Sequence, residues 1–577
     1  MRVQPDITSV TRTFDYLVPV SWEADGRSER VRIGSLVRVD FHGRRTAGWV
    51  TEVDVEFDPS IELRPLAKWS SHGPPADVIE LARWAAWRWA GKLPHLLRVA
   101  SPPRMVTVLR RSADTPAPVD ASRTATAAFV QGLSVVRTTP TDGGTSLAVA
   151  AASLGSALII VPTISQRHDL VRSLRAAGVN VAEYDDQWER SAGGGVTTIG
   201  TRTAAFAPMP TIDAVLVIDE HATMYKEERT PAWNARDVAV ERARRLGVPC
   251  VLTSPSPSLE ALSAANRQLV PERSVERSAW PRVDVIDLRD QDKPGLLTKH
   301  IVDVVRGPGP VACVLNRKGR ARMLACARCG SLAACEQCGG ALGEDDAGRL
   351  SCARDGTTRP MVCAECKGTH LKHLRLGVSR LAEDLTALAK RDVMEVTAET
   401  PHSLLRGDQL FVGTEALLHR LDTARAVIFL DFDQELAVPR VRAGEDAFAL
   451  LALAARRLGS RTGGGRLVIQ TRRPNDIVVQ AALAGDPGRV AKAQRDVRQV
   501  FHQPPYGAWA VISGSGAAVF ADAVQRVISD RHSDVQINRL DDRYRVAATN
   551  HAGLLEVIGA AERPTERLRI EVDPLHL

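Results

Sequence analysis

Residues 326–366 read CARCGSLAACEQCGGALGEDDAGRLSCARDGTTRPMVCAEC and hold seven of the nine cysteines of the 577-residue chain. Thiolates separated by two residues converge on one tetrahedral Zn²⁺, and two such pairs complete a structural site. The stretch contains four pairs of this spacing, the third ending in aspartate: Cys326 and Cys329, Cys335 and Cys338, Cys352 and Asp355, Cys363 and Cys366. Clustered cysteines in a chain of this size favour metal over disulfides. We therefore predict two structural zinc ions in a module spanning residues 322–372.

Asp355 stands where an eighth cysteine would complete the pattern. A carboxylate can ligate zinc, although more weakly than a thiolate, so Asp355 is a candidate ligand. Two alternatives stay open for this position: a three-cysteine site completed by another residue such as His370, or an empty site. Buried free thiols are the competing explanation for the whole cluster, and four pairs within some forty residues argue against it.

Short apolar runs on either side of the cysteines indicate parallel β-structure. The runs alternate with helical segments, as expected for a sheet covered on both faces. They lie at Leu158–Val161, Ala214–Ile218, Cys250–Leu252, Val311–Leu315, Leu410–Val412, Ala426–Leu430 and Leu467–Ile469. The cysteine module interrupts the second of two such units. We expect an α/β protein with two parallel-sheet lobes and a zinc insertion in the second.

The two ends of the chain have a different pattern. Alternating apolar and polar residues from Val31 to Val55, with a turn at residues 42–45, predict a small β-rich domain, followed by a helix from about Ala76 to Gly91. The last ninety residues predict a helix at Ala517–Ser529 and two strands, which suit a small α+β domain. The expected divisions are 1–105 for the first domain, 106–127 for a linker, 128–268 for the first lobe, 269–310 for a connector, 311–485 for the second lobe and 486–577 for the last domain.

The composition limits the functional classes. No apolar run approaches the roughly 20 residues of a membrane span, and the first residues lack the apolar segment of a secretory signal, so we expect a cytoplasmic, nucleoid-associated protein. The net charge of +7 favours an anionic partner such as nucleic acid. That indication is weak, because the basic residues are dispersed.

The order of these features resembles the PriA family of replication restart proteins, which are superfamily 2 DNA helicases. The resemblance rests on the cysteine array placed after residues 315–319 (LNRKG), on residues 12–19 (RTFDYLVP) and 37–41 (VRVDF) with Gly48, and on residues 504–507 (PPYG) and 570–574 (IEVDP). It implies two RecA-like lobes, a first domain that holds the 3′ end of the nascent leading strand, and interleaved zinc pairing. In that pairing Cys326, Cys329, Cys363 and Cys366 share one ion, and the four inner positions share the other. By the same resemblance Phe14, Asp15, Tyr16 and Gly48 are DNA-binding candidates, with Asp15 at the 3′ terminus; without it, Phe14 and Tyr16 would be core residues and Asp15 a turn cap.

The ATPase motifs depart from the family pattern. Where a phosphate loop needs glycines, Lys and Ser or Thr, residues 138–145 read TTPTDGGT; Thr145 aligns with the Mg²⁺ hydroxyl and Gly144 with the Lys. The second motif reads Ile218-Asp219-Glu220-His221, so its first carboxylate is Ile218 unless the register slips by one residue. In the last motif Arg457 is retained and Ser460 replaces an arginine. We treat Gly143, Gly144, Thr145, Asp219, Glu220 and Arg457 as remnants of a nucleotide site, expect no catalytic residue, and do not expect ATP or Mg²⁺ to bind.

These observations predict a replication restart protein that recognises forked and single-stranded DNA and helps to reload the replication machinery without helicase activity. By resemblance its partners would be primosome proteins, single-stranded DNA-binding protein and the replicative helicase loading machinery, with no membrane. Two alternatives are an active ATP-dependent 3′-to-5′ helicase and a zinc-ribbon adaptor that binds only proteins. The segment between the first domain and the first lobe is too short for the family's winged helix.

Overall fold

The structure is a computed structural model of the 577-residue chain. It describes all residues except 11, 58–59, 61, 110–120, 291–295, 316–323, 338, 346, 353–355, 374–377, 398, 402–403, 406, 408, 439, 532–533 and 577. Within the described part, no helix is long and apolar enough to cross a membrane.

The chain begins with a five-stranded sheet in the order β2-β1-β4-β3-β5. Its strands are β1 (Arg2–Pro5), β2 (Phe14–Asp15), β3 (Leu36–Phe41), β4 (Arg44–Glu52) and β5 (Lys68–Ser71), with helices α1 (Val20–Ala24), α2 (Ala76–Arg88) and α3 (Leu93–Ala100). All pairs in this sheet are antiparallel. The predicted hairpin is present, but only His42 and Gly43 form its turn, because Arg44 and Arg45 already belong to β4.

The first lobe is a seven-stranded parallel sheet in the order β12-β6-β11-β10-β7-β9-β8. Its elements, with the helix α10 that follows, are α4 (Arg123–Thr126), β6 (Leu133–Arg137), α5 (Thr145–Ser153), β7 (Ala157–Ile160), α6 (Ile164–Ala176), β8 (Val181–Glu183), α7 (Trp188–Gly193), β9 (Thr197–Gly200), β10 (Ala214–Val217), α8 (Ala235–Leu246), β11 (Cys250–Ser254), α9 (Leu259–Ala264), β12 (Arg267–Leu269) and α10 (Arg273–Ala279). The central strands β7 and β10 are buried along their whole length, which is why they read as unbroken apolar runs in the sequence.

The second lobe is a six-stranded parallel sheet in the order β13-β23-β22-β14-β21-β20. Its elements are β13 (Arg282–Asp287), α11 (Lys299–Val305), β14 (Val311–Val314), α12 (Val378–Ala389), β20 (Val393–Val396), β21 (Leu410–Gly413), α13 (Glu415–Arg420), β22 (Ala426–Phe429), α14 (Asp433–Ala437), α15 (Ala443–Leu458), β23 (Arg466–Thr471) and α16 (Ile477–Ala484). Strand β13 and helix α11 lie in the predicted connector, yet β13 pairs with β23 over six residues as the edge of this sheet.

The cysteine module enters between β14 and α12. It consists of a two-stranded sheet of β15 (Leu324–Cys326) and β19 (Leu371–His373) and a three-stranded sheet of β16 (Leu342–Glu344), β17 (Leu350–Cys352) and β18 (Thr358–Arg359). Arg473 holds the module against the second lobe by donating a hydrogen bond to Gly339 O at 3.1 Å. The predicted insertion in the second lobe is confirmed.

The chain ends with a four-stranded antiparallel sheet in the order β25-β26-β24-β27. Its elements, with the preceding helix α17, are α17 (Pro487–Val500), β24 (Ala508–Ser513), α18 (Ala517–Arg531), β25 (Gln536–Leu540), β26 (Arg543–Ala548), α19 (His551–Ala560) and β27 (Arg569–Val572). Short 3-10 helices lie at Ser28–Arg30, Arg202–Phe206, Thr223–Tyr225 and Arg461–Gly463.

One hydrophobic core joins three of these parts. It runs from Trp49 and Trp89 near the amino terminus through Phe206 of the first lobe to Phe520 of the last domain. The second lobe has its own cores on the two faces of its sheet. The expected α/β class with two parallel-sheet lobes is therefore confirmed, whereas the exact domain boundaries stay predictions.

Candidate nucleic-acid and metal sites

Four cysteines from the first and last pairs converge. The sulfur atoms of Cys326, Cys329, Cys363 and Cys366 all lie within 4.8 Å of one another, with Cys326 Sγ 3.5 Å from Cys366 Sγ and Cys329 Sγ 3.6 Å from Cys363 Sγ. Tetrahedral Zn–S bonds of about 2.3 Å place ligand sulfurs about 3.8 Å apart, so the cluster fits such an ion. This cluster could hold a metal, and it is the interleaved set that the family resemblance implies.

The first cysteine of each pair makes the same two backbone hydrogen bonds with the described residues that follow the pair. The N–H group of each first cysteine bonds to the carbonyl five residues later, and its own carbonyl accepts from the N–H group four residues later. These bonds, between 2.8 and 3.1 Å long, link Cys326 to Gly330 and Ser331, Cys335 to Gly339 and Gly340, Cys352 to Gly356 and Thr357, and Cys363 to Lys367 and Gly368. Cys352 therefore has the same backbone hydrogen-bond pattern as the first cysteines of the other three pairs.

Cys335 and Cys352 are both buried in a small core with Leu342 and Leu350. Their predicted co-ligands Cys338 and Asp355 lie outside the described residues. His370, the alternative fourth ligand, accepts a hydrogen bond from Ala327 N through its carbonyl, beside the outer cluster.

The loop that would bind phosphate is capped by a side chain of its own. A helix N-terminus attracts anions because its N–H groups have no partner within the helix. Asp142 Oδ1 accepts a hydrogen bond from Gly144 N at 2.8 Å, directly before α5. Gly144 has φ +76°, and a Cβ atom there would lie 2.9 Å from Ile218 Cδ1. The Asp142 carboxylate thus already accepts a hydrogen bond from the loop's N–H group, and the apolar side chain of Ile218 packs against Gly144. Gly143 and Thr145 are exposed.

An ion pair joins the two lobes at the second motif. Asp219 accepts hydrogen bonds from two nitrogens of Arg456 at 2.7 and 2.8 Å and from Gln166 at 2.8 Å. Burial acts to raise the pKa of Asp219, but the charge of Arg456 outweighs it and holds the pKa at about 2. Arg456 also donates to Pro140 O at 2.7 Å, so it contacts the phosphate loop as well.

The remaining nucleotide-site remnants have structural partners. Glu220 accepts hydrogen bonds from Ser258 and from Arg236, and all three side chains are buried. Arg457, the arginine predicted from sequence, donates to Leu418 O inside its own lobe. The sequence contains Arg456 and Arg457 side by side, and only the structure shows that the first one reaches the opposite lobe.

A second set of buried contacts crosses the interface between the lobes. Glu445 of α15 accepts a hydrogen bond from Leu259 N of α9 at 3.0 Å and forms a close ion pair with Arg498. Arg498 also bonds to Glu260 of the first lobe at 3.4 Å. Sequence reasoning missed these residues, because charged residues far apart in sequence give no signal of their pairing.

The predicted DNA-binding residues lie at the edge of the first sheet. Asp15 on β2 is about one-quarter exposed and bonds to Arg2 Nε at 3.0 Å, while Arg2 also bonds to Glu52 at 2.7 Å. Phe14 is half-buried, and Tyr16 is buried with its hydroxyl near Asp40 O. Asp15 therefore presents its carboxylate to solvent, whereas Tyr16 is a core residue.

Gly48 is needed for close strand packing. A Cβ atom there would lie 2.6 Å from Val3 Cγ1 and 3.0 Å from Gln4 O. Gly48 therefore allows β1 to approach β4 closely in the first domain.

A buried lysine connects the last strand with the first lobe. Lys226 donates to Val572 O at 2.5 Å and Asp573 O at 2.7 Å, and burial lowers its pKa. The Asp573 carboxylate bonds to Arg88 at 2.6 Å and to His551 at 2.9 Å, and Arg88 belongs to α2. The conspicuous carboxyl-terminal motif is thus a junction of three parts of the fold.

Comparison with known proteins agrees with these features. Residues 2–102 match the family model of the 3′DNA-binding domain (3′BD) of PriA. The chain is 25% identical to the replication restart protein PriA of Bacillus subtilis over 67% of this chain and 55% of that protein. It is 28% identical to the "Probable replication restart protein PriA" of Mycobacterium leprae over 89% of this chain and 87% of that protein. The corresponding Mycobacterium tuberculosis protein is 25% identical over 99% of both chains.

The share of each relative that aligns with this chain differs among these proteins. The aligned part spans about half of the Bacillus, Synechocystis and Haemophilus proteins, at 55, 48 and 53% of their lengths. A DEAD box protein from Methanococcus jannaschii is similar in structure at 9% identity, over 65% of this chain and 87% of that one, with a TM-score of 0.30 that is too low to carry an argument. The amino-terminal domain match and the end-to-end mycobacterial alignments agree with the arrangement of lobes and cysteines: the chain is similar along its whole length to PriA-type replication restart proteins.

Proposed function

We propose that the protein binds the 3′ end of a nascent strand at a stalled replication fork and serves as a scaffold for reloading the replication machinery, without hydrolysing ATP. The observation that carries the second half is the state of the nucleotide site, where the phosphate loop is capped and an ion pair joins the lobes. Asp142 caps the phosphate loop, and Arg456 neutralises Asp219 across the lobes.

The capped loop and the ion pair oppose nucleotide binding in two ways. A triphosphate would meet the Asp142 carboxylate and a loop without lysine, so Coulomb repulsion replaces the usual attraction. Mg²⁺ would have to compete with the Arg456 guanidinium for Asp219, whose two oxygens are already bonded to it. Both changes remove charge stabilisation that phosphoryl transfer needs.

The lobe interface supports a static role for the α/β core. A helicase motor must let its lobes move apart, and here Glu445, Arg498 and Glu260 form buried contacts across that boundary. Breaking a buried ion pair leaves an uncompensated charge and costs about 3–5 kcal/mol. The core therefore holds the end domains in fixed positions.

The candidate site for the 3′ end, named here the end pocket, consists of Phe14, Asp15 and Tyr16, and Asp15 would make its contact to the DNA. A carboxylate has about four acceptor positions, so Asp15 can keep its bond to Arg2 and still accept a hydrogen bond from a terminal hydroxyl or base edge. Arg2 beside it would meet the nearest phosphate.

We further propose that the metal is zinc, with two structural ions. Cys326, Cys329, Cys363 and Cys366 would hold one. Cys335, Cys338, Cys352 and Asp355 would hold the other, since Cys335 and Cys352 make the same backbone hydrogen bonds as Cys326 and Cys363. When bound, zinc would cross-link these segments, and with four protein ligands it would have no coordination position left for catalysis. The partners would be forked DNA and primosome proteins, in the cytoplasm.

The pocket is tested by fluorescence anisotropy with two forks that differ only in a free or a 3′-phosphorylated nascent end. We expect the protein to prefer the free end, and Asp15→Asn to lose the preference. Asp25→Asn is the matched control, because Asp25 is also an aspartate of this domain that is paired with an arginine. Equal binding of both forks by the unsubstituted protein would overturn the proposal.

A further inference from the structure

Three basic side chains form an exposed cluster on the first sheet. They are Arg38 on β3, Arg45 on β4 and Lys68 on β5, named here the cationic strip. Within the described part of the chain, none of the three takes part in an ion pair. The one acid among them is Asp40, directly opposite Arg45, so the strip keeps a net charge of about +2.

The strand register sets two of these cations against each other. Arg38 lies directly opposite Lys68 in the antiparallel pair of β3 and β5. Like charges in this position destabilise a sheet, because their Cβ atoms are only about 5 Å apart. The arrangement therefore works against folding of the free protein, and a polyanion would relieve it.

The strip has a defined position relative to Asp15. The strand order is β2-β1-β4-β3-β5, so Asp15 on β2 is two to four strands away from the three cations. Neighbouring strands are about 4.8 Å apart, which gives a separation of roughly 10–19 Å. Successive base pairs rise about 3.4 Å, so the strip is about three to six base-pair steps from the terminal pocket.

We infer that the cationic strip binds the phosphate backbone of the double-stranded DNA directly behind the 3′ terminus. This rests on the proposed function, which places the terminus at Asp15. The outward positions of the strip, namely Arg38, Asp40, Arg45 and Lys68, offer no aromatic ring on which an unpaired base could stack, and single-strand grooves depend on such rings. A surface that offers positive charge but no ring for base stacking suits the phosphate backbone of double-stranded DNA.

The strip would also let the first domain bind the duplex arm of the fork. It lies on the same small sheet as the terminal pocket, so the terminus and the duplex behind it would be bound by one rigid unit. Recognition of the end would then require a paired nascent strand, and a loose single-stranded end would be held less tightly.

The test compares two DNA molecules with the same 3′-terminal sequence, one with twelve base pairs behind the terminus and one fully single-stranded. Affinity is measured by anisotropy over a range of salt concentrations with the full-length protein and with the triple variant R38Q, R45Q, K68Q. The matched control is K299Q, R461Q, R526Q, which removes three exposed cations outside the first domain. Thermal unfolding of both variants verifies that they are folded.

We expect the strip variant to lose the preference for duplex-backed ends. Each lost phosphate contact lowers the slope of log affinity against log salt by about 0.9, so the slope for the duplex substrate should fall by about 2.7. An unchanged slope would overturn the inference, and an equal loss on the single-stranded DNA would reassign the strip to single strands and contradict it. The preference for a free 3′ hydroxyl should persist in the strip variant and disappear in Asp15→Asn, so failure of the end pocket and failure of the strip give different results.

Discussion

Replacing Arg456 by alanine should open the boundary between the two lobes. The side chains of Asp219 and Arg456 are 7% and 17% exposed, so the substitution leaves a buried carboxylate with Gln166 as its remaining partner. Removing one partner of a buried pair costs about 3–5 kcal/mol. At about 1.4 kcal/mol per tenfold change, the local opening equilibrium should rise at least about a hundredfold.

Hydrogen–deuterium exchange measures this opening directly. Peptides that cover residues 138–145 and 453–460 should exchange at least about a hundredfold faster in the Arg456→Ala protein, because local opening exposes their amide groups. Arg461→Ala, which removes an exposed arginine of the same lobe, should leave them unchanged. In the double variant Asp219→Asn, Arg456→Ala much of the loss should be recovered, since no unpaired charge is left buried.

The same ion pair predicts a pH dependence. The folded pKa of Asp219 is about 2, below its ordinary value of 3.8. Its stabilisation is therefore complete above about pH 4 and is lost as the pH falls from about 4 to about 2, with a total of about 2 kcal/mol. In the exchange experiment described above, equal hydrogen–deuterium exchange of these peptides in the Arg456→Ala and unsubstituted proteins at neutral pH would refute the reasoning that this ion pair holds the lobes together.

Three further substitutions test other parts of the structure. Cys326→Ser should lower the zinc content from two ions per chain to one, measured by elemental analysis of protein purified without chelator; loss of both ions would show that the two sites are not independent. Lys226→Ala should destabilise the protein by about 3 kcal/mol, because it removes the hydrogen bonds of a buried ammonium group to the carbonyls of Val572 and Asp573 at the end of the last strand. A melting temperature equal to that of the exposed control Lys299→Ala would contradict this. Gly48→Ala should cost about 1–3 kcal/mol by overpacking β1 against β4 and should weaken binding to 3′ ends, whereas Gly559→Ala, with open space around its Cβ position, should do neither.

The sequence predicted the parallel lobes well, because their central strands are buried on both faces. β7 and β10 appear as short apolar runs for this reason, and the structure places them within one residue of the predicted ends. β13 was assigned to a connector, because its six residues alternate between charged and apolar, as an edge strand does, and only its pairing with β23 reveals the sheet.

The sites were predictable to different degrees. Regular spacing revealed the cysteines, and the structure brings Cys326, Cys329, Cys363 and Cys366 together. The altered nucleotide site was predictable only as missing motif residues: neither the bond from Gly144 N to Asp142 nor the partner of Asp219 follows from the local sequence. Arg457 was named instead of its neighbour Arg456, because the sequence alone does not show which of two adjacent arginines faces the other lobe.

The central claim is that this protein binds a fork without using ATP, and the most direct measurement is ATP hydrolysis by zinc-replete protein with and without forked DNA carrying a leading-strand 3′ end. Fork binding is followed in the same samples. We expect saturable, salt-dependent binding with no hydrolysis above that of a DNA-only sample. Hydrolysis stimulated by the fork would contradict the account and show that the capped loop at Gly144 opens to accept nucleotide.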